Sequence, residues 1–214
     1  MSNDLSNYRK SYEKGELLES NIPENPMELF KKWFHEVDGI FNEETNAMTI
    51  STFGLDGYPK NRIVLLKKFT YEGFIFFTNY DSEKGRAIAV NPNVCLSFFW
   101  QGAERQIIIK GKAEKIAKNL SDGYFESRPR GSQLGALVSN QSEVVANRES
   151  LEAKLQSLEK EYEGKEVPRP DHWGGYIVKP VEIEFWQGRP NRLHDRIRYK
   201  LLEDYNWLIN RLSP

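Results

Sequence analysis

The first two dozen residues are polar and show no apolar period; the first regular pattern begins at Asn25. Asn25-Pro26-Met27-Glu28 has the form of a helix start, with a capping side chain, a proline in the first turn and an acid three after the cap. Phe30, Trp33, Phe34 and Val37 then recur at helical spacing and Gly39 ends the run, which predicts an amphipathic helix packed on a core. From Ala47 to about Ala117 the period changes to that of strands. Met48 to Phe53 alternates, Asp56-Gly57 is a hairpin turn, and Arg62-Ile63-Val64-Leu65-Leu66-Lys67 is an apolar strand between two cations. A turn at Glu72-Gly73 leads into Phe74–Thr78, and strands follow at 93–101 and 106–110. Between them Ser82 caps a short helix that Pro92 ends. Short strands with short turns suggest an antiparallel barrel or sandwich.

Residues 118–163 return to a helical pattern. One short helix holds Tyr124-Phe125 and ends before Pro129, and a second covers about Ser132 to Val138. A longer one starts at Asn147, with Leu151, Leu155, Leu158 and Tyr162 on one stripe and charges opposite, as on a surface helix. Beyond Pro168-Arg169-Pro170 two more strands are expected, at roughly 174–187 and 196–209. The expectation is a single mixed α and β domain over 25–214, preceded by a flexible lid-like segment, 1–24.

Bulk properties narrow the function classes. A chain of 214 residues supports one sizeable core. Its 39% hydrophobic and 29% charged content is that of a soluble globular protein, and a net charge of −1 argues against a general nucleic-acid binder. The single cysteine, Cys95, lies in an apolar run and is expected to pack as a small hydrophobe in a reducing compartment. No apolar run reaches the roughly 18 residues of a membrane span, and the polar start does not resemble a signal peptide, so a cytoplasmic location is expected. His35, His172 and His194 lack ligand spacing, so no metal site is expected. No serine elbow, dinucleotide fingerprint or P-loop is present, so any demanding chemistry would fall to an organic cofactor.

The chemistry-bearing residues cluster. Glu184 to Arg196 holds three arginines, a histidine, a tryptophan and the turn Gly188-Arg189-Pro190-Asn191. Arginine forks match phosphate or carboxylate at two points, histidine donates or accepts near neutrality, and a flat aromatic completes a set suited to an anionic ring ligand. Arg62, Lys67, Thr78, Lys84, Gln106, Arg128, Ser132, Gln141, Ser142, Arg192 and Arg196 recur where elements end. The Ser82-Glu83-Lys84 helix start with Arg62 and Lys67 forms one candidate phosphate site. Ser127 to Ser132, with Tyr124 one turn before Arg128, forms another. Two such sites imply two phosphorylated ligands or one long one. Arg9 and Tyr12 have the spacing to close over a ligand as a flap. Arg62 and Lys67 lie five apart and would face opposite sides of a regular strand. Either the strand bends, or ligands lie across a subunit boundary and the protein is an obligate dimer.

Arg62 to Lys67, Phe77-Thr78-Asn79-Tyr80, Glu104-Arg105-Gln106, Ser127-Arg128-Pro129-Arg130, Gln141-Ser142, Trp173-Gly174-Gly175, Glu184 to Gly188 and Arg192 to Arg196 together resemble the pyridoxine (pyridoxamine) 5′-phosphate oxidase family. The likeness runs from about Arg9 to the terminal Arg211-Leu212-Ser213-Pro214. It implies an α+β, FMN-binding antiparallel split β-barrel with Greek-key-like connections and peripheral helices, working as a homodimer with flavin at the interface. It further implies oxidation of pyridoxine or pyridoxamine 5′-phosphate to pyridoxal 5′-phosphate, with hydride transfer from C4′ to flavin N5 and reoxidation by O2 to give H2O2. By the same resemblance FMN would contact Arg62, Ile63, Val64, Leu65, Leu66, Lys67, Phe77, Thr78, Lys84, Gln106, Gln141, Ser142, Trp186 and Arg196. The substrate phosphate would meet Lys67, Tyr124, Arg128 and Ser132. Arg192 and His194 would act as catalytic residues on the pyridine ring and its substituents, and Arg9 with Tyr12 would form the lid. One departure stands out: the family often has Ser-Arg-Lys where this chain has Ser82-Glu83-Lys84, so Glu83 is expected to turn away toward Lys60 or Arg86. The alternatives are another split-barrel flavin reductase or oxidase, and a non-catalytic binder of FMN or pyridoxal 5′-phosphate.

Overall fold

A computed structural model describes residues 3–40 and 44–214; residues 1–2 of the N-terminal segment and 41–43 lie outside the described part. In chain order the elements are α1 (Pro26–Val37), β1 (Ala47–Phe53), β2 (Pro59–Leu65), β3 (Lys68–Thr70), β4 (Gly73–Asn79), α2 (Glu83–Val90), β5 (Asn93–Trp100) and β6 (Arg105–Lys115). Then come α3 (Lys118–Glu126), α4 (Arg130–Val138), α5 (Arg148–Glu161), β7 (Trp173–Gln187), β8 (Asp195–Leu201) and β9 (Trp207–Arg211). The caps fall where the sequence places them. Asn25 accepts the Met27 N–H at 2.9 Å, Ser82 accepts that of Gly85 at 3.3 Å, and Asn147 accepts that of Ser150 at 2.9 Å. As its charged face requires, α5 buries no residue.

Two expectations are corrected. The 62–67 strand ends at Leu65: Leu66 turns inward, 4% exposed, and the Lys67 N–H donates to the Ile75 carbonyl at 2.8 Å before β3 begins. The regular strand is therefore interrupted between Arg62 and Lys67, and the opposite-face rule does not apply to them. The single strand expected over 196–209 is a hairpin, β8 and β9. Its turn closes through Leu202 N–H to the Asn206 carbonyl at 2.9 Å, with Tyr205 at φ 64° and Asp204 accepting the Asn206 N–H at 3.1 Å. Acidic and amide side chains make this turn without glycine or proline, so its signal in the sequence is weak.

The strands form one nine-stranded sheet in the order β2-β1-β5-β6-β7-β4-β3, with β8 added on β7 and β9 on β8. The β3–β4, β4–β7, β7–β8 and β8–β9 pairs are antiparallel. The chain divides into two compact units: Met1–Met48 with Leu96–Lys110 and Pro180–Pro214, and Thr49–Cys95 with Gly111–Lys179.

The first unit is built on α1 and the β8–β9 hairpin. Phe30, Phe98, Phe185 and Tyr199 are wholly buried, and Trp33 meets Phe185 edge-on at 5.3 Å. The N-terminal segment is tied to this unit: Leu17 is buried, the Arg211 guanidinium binds both Glu19 and the Leu17 carbonyl, and the Tyr199 hydroxyl donates to the Pro23 carbonyl. The second unit packs Phe74, Phe76 and Val178 where β4 meets the first half of β7. A further cluster of Phe125, Leu134, Val167 and Trp173 seats α3, α4 and the apolar stripe of α5. Among the described residues no helix is long and apolar enough to cross a membrane.

Candidate functional site

Members of both expected phosphate sets, Lys67 and Lys84 from one and Tyr124, Arg128 and Ser132 from the other, line one cavity of about 580 Å³ in the second unit. Ile63, Val64 and Leu65 line it from the end of β2, Lys67 from the break before β3, Phe77 and Thr78 from β4, and Lys84 from α2. Tyr124, Arg128, Ser132 and Gln141 also line it. Lys84 is 7% exposed, and its Nζ lies 2.9 Å from Gln141 Oε1 and 3.2 Å from Thr78 Oγ1. Burial, then the Arg62 charge, push its pKa down to about 8, with Glu83 opposing. An ammonium so placed has exchanged water for neutral oxygens, and an anion in the cavity would restore what burial removed.

Glu83 turns toward Lys60, Oε1 to Nζ 3.5 Å, and its second partner is Arg62, Oε2 to Nη2 3.4 Å. Arg86 is not the partner; it donates to the Asp81 carbonyl. Arg62 also donates from Nη1 to Thr52 Oγ1 at 2.8 Å and to the Lys60 carbonyl at 2.9 Å.

Three of the lining residues are aromatic. Phe77 stacks on Tyr124 at 3.8 Å and on Trp173 at 5.6 Å, and the Arg128 guanidinium lies 4.5 Å over the Trp173 ring. Arg128 Nη1 is buried with no hydrogen-bond partner among the described residues, and burial lowers the pKa of this group. Arginine stays charged regardless. A buried N–H without an acceptor costs about 1–3 kcal/mol, so the position favours an anionic oxygen.

The first unit holds the second group. Between β7 and β8 a short 3-10 turn, Pro190–Arg192, carries Asn191 at φ 57° and Arg192 at φ 63°. Two successive non-glycine residues in the left-handed region store on the order of 1–3 kcal/mol each. The turn leaves Arg192 exposed and sets the His194 ring 4.7 Å from Trp186 and 5.8 Å from Tyr12, with Tyr12 edge-on to Trp186 at 5.6 Å. His194 Nδ1 accepts the Arg189 N–H at 3.1 Å, which assigns the proton of the neutral ring to Nε2. Burial, then the Arg192 charge, hold its pKa below the ordinary histidine value against Asp195. Near neutral pH His194 is therefore a neutral Nε2–H donor.

The remaining expected residues are placed as follows. Leu66 is buried and Ser142 is exposed at φ 75°. Neither they nor Arg62 belong to the cavity wall. Arg9 is exposed and donates to the Ser6 carbonyl at 3.1 Å; Gln106 is half-buried on β6. Arg196 is engaged at two points by Glu184, at 2.7 and 3.1 Å, and donates to the Ser213 carbonyl at 2.8 Å. Sequence reasoning gave no role to Trp173, Arg189 or Glu104. Trp173 and Glu104 stood in recognisable motifs, but the aromatic stack and the acid's partners come from segments distant in sequence.

An antiparallel sheet of this order with peripheral helices defines the split-barrel class. PhzG from Burkholderia lata 383, solved with tetrahydrophenazine-1-carboxylic acid, matches with a TM-score of 0.86 at 28% identity, over 92% of this chain and 98% of that one. A pyridoxamine 5′-phosphate oxidase-related, FMN binding protein from Nostoc punctiforme shares the fold, with a TM-score of 0.69 at 13% identity over 87% and 96%. The family model "Pyridoxamine 5′-phosphate oxidase" matches residues 35–161, and "Pyridoxine 5′-phosphate oxidase C-terminal dimerisation region" matches 173–214. A pyridoxine/pyridoxamine 5′-phosphate oxidase from Flavobacterium psychrophilum is 74% identical over 212 residues, covering 99% of each chain. Its counterpart from Flavobacterium johnsoniae is 67% identical over the same coverage. The chain belongs to the pyridoxine/pyridoxamine 5′-phosphate oxidase family, and it is an enzyme.

Proposed function

We propose that the protein oxidises pyridoxine 5′-phosphate or pyridoxamine 5′-phosphate to pyridoxal 5′-phosphate in the cytoplasm, with FMN as its cofactor. The observation that carries this reading is one cavity lined by two desolvated cations from different elements: Lys84 of α2 among neutral oxygens, and Arg128 after α3 with Nη1 unpaired among the described residues. Two such cations suit two phosphates.

The residues present fit FMN. Lys84, Thr78 and Gln141 would hold its phosphate, with the Arg62 charge that acts on Lys84 adding to the field and Ser142 beside Gln141, and Ile63 to Leu65 with Phe77 would border its ring. When bound, FMN would supply a two-electron acceptor for the hydride lost from the substrate C4′, with O2 as final oxidant and H2O2 as by-product, and with the amine substrate water would complete the aldehyde and ammonia would leave. Lys67, Tyr124, Arg128 and Ser132 would bind the substrate phosphate. The stacked Phe77, Tyr124 and Trp173 would keep water from that end of the site. His194, a neutral donor through Nε2–H, would hydrogen-bond the hydroxyl or amine on C4′. Arg192, held on a strained turn, would balance charge on the ring oxygen. The C-terminal dimerisation match spans β7 to β9 and thus Trp186, Arg192, His194 and Arg196. A homodimer in which a second copy of the chain supplies these groups, with Gln106, to the cavity completes the proposal.

Purified protein should be yellow and should release peroxide on addition of either B6 phosphate. FMN-loaded protein that yields none with both would overturn the reading. The likeness to PhzG, solved with tetrahydrophenazine-1-carboxylic acid, supplies a second reading, action on an unphosphorylated ring compound. Turnover of unphosphorylated pyridoxine as fast as of its phosphate would favour that class, because Arg128 and Ser132 would then have no phosphate to bind.

A further inference from the structure

Among the described residues Glu104 is a buried acid that the proposed mechanism does not use. It ends the 3-10 turn before β6 in the left-handed conformation, φ 57° and ψ 40°, which glycine adopts freely and other residues rarely do. Its side chain is 2% exposed. One carboxylate oxygen accepts two backbone N–H groups of the N-terminal segment, Glu13 at 2.8 Å and Lys14 at 3.0 Å, and the other faces Lys10 Nζ at 3.5 Å. Burial works against its charge, yet the Lys14 and Glu13 N–H groups and Lys10 hold its pKa below the usual carboxylate value. Its backbone works in the other direction, since the Glu104 carbonyl accepts the Gly188 N–H at 2.8 Å and Gln187 Nε2 at 3.2 Å. One residue thus ties the N-terminal strap to the turn that carries His194.

What lies between those ties is Tyr12. Its ring meets Trp186 and His194, and it covers Gly188 so closely that a Cβ there would come within 2.7 Å of Tyr12 Cβ and Cγ. We infer that Glu104 is a positioning residue, a latch whose carboxylate holds the N-terminal strap so that Tyr12 stays packed against His194 and Trp186. The inference rests on the function proposed above for its kinetic consequence, but not for the latch itself. A strap that is only partly closed lowers apparent substrate affinity by its closed fraction and leaves the chemical step alone.

The test uses FMN-loaded wild-type protein with Glu104→Gly, which suits the left-handed backbone, and Glu104→Gln, which keeps one acceptor oxygen. Amide hydrogen exchange at Glu13 and Lys14 should be at least about tenfold faster in Glu104→Gly, while the β8–β9 amides keep their protection. KM for pyridoxine 5′-phosphate should rise several-fold with kcat within about twofold, and Glu104→Gln should fall between the two. Unchanged exchange at 13 and 14 in Glu104→Gly overturns the latch. Faster exchange with an unaltered KM overturns the positioning role. A wild-type protein that turns over neither B6 phosphate would sink the proposed function instead, and the exchange rates would still decide the latch.

Discussion

Lys84 makes a quantitative demand on the pH dependence of flavin binding. Its pKa in the ligand-free protein falls from 10.5 to about 8, so near pH 8 the ammonium is half discharged. A phosphate monoester loses its second proton near pH ~6 and is a dianion throughout the range above pH 7. If the bound phosphate keeps Lys84 charged, binding above pH 8 takes up a proton, and affinity weakens by about tenfold between pH 7 and pH 9, or roughly 1.4 kcal/mol. The sign for folding follows from the same shift. A depressed lysine pKa favours the neutral form in the folded state, so ligand-free stability gains as pH rises from about 8 toward 10.5 and is lost as it falls back. The decisive perturbation is Lys84→Met, compared with Lys84→Arg, which stays charged through this range. Titrating apoprotein with FMN by flavin fluorescence from pH 7 to 9 should show the tenfold slope in wild type. The Met variant should bind more weakly at pH 7 by about 2 kcal/mol with no slope, and the Arg variant should also be flat. A flat wild-type profile, or a Met variant that keeps the wild-type slope, would refute the reasoning.

Three further outcomes follow from the same geometry. Arg192→Leu should lower kcat/KM by roughly 10²–10³ while the flavin absorbance of the purified protein stays normal; near-wild-type turnover rejects its catalytic role. Glu83→Gln should release Arg62 and Lys60 and tighten FMN binding about threefold, since the acid is 45% exposed and its pairs at 3.4 and 3.5 Å are partly screened. An unchanged dissociation constant would show the acid to be remote from the phosphate. Gly73→Ala should destabilise by about 2–4 kcal/mol in urea unfolding, because φ is 153° and a Cβ would come within 2.2 Å of the Val178 carbonyl oxygen; an unmoved midpoint contradicts the β4–β7 register.

The parts of the fold legible in the sequence are those fixed by local chemistry. Asn25, Ser82 and Asn147 announced their helices because a cap acts on N–H groups two or three residues away. The β8–β9 hairpin was hidden because Asp204 and Asn206 close its turn without glycine or proline. The strand break at Leu66 goes with the burial of that side chain and a bond to Ile75, which periodicity does not report. The same division holds at the cavity. The types Lys84, Arg128 and Ser132 were visible, whereas the stack of Phe77 on Tyr124 and Trp173 joins three segments that only the fold brings together.

Counting cations was a weak guide to the site, and the structure supplies a physical reason to rank them. Arg196 is held at two points by Glu184, Arg211 by Glu19 and Asp195, and Arg62 shares Glu83 with Lys60. Such cations are already neutralised, and a ligand phosphate gains only what it adds beyond an existing pair. Lys84 and Arg128 are different in kind. Each has lost water to burial, one is hydrogen-bonded to neutral oxygens, and the other retains a buried N–H without an acceptor. An arriving phosphate displaces no carboxylate there, at most a neutral oxygen, and relieves a desolvation penalty, so its net gain is largest at these two positions. The ordering is testable within one protein. Arg128→Met should raise KM for the substrate by at least about thirtyfold, corresponding to roughly 2 kcal/mol, whereas Arg196→Met should weaken FMN binding by less than Lys84→Met does. The reverse order would mean that the carboxylate partners release these arginines when ligand binds, and that desolvation in the ligand-free protein does not identify the phosphate-binding groups.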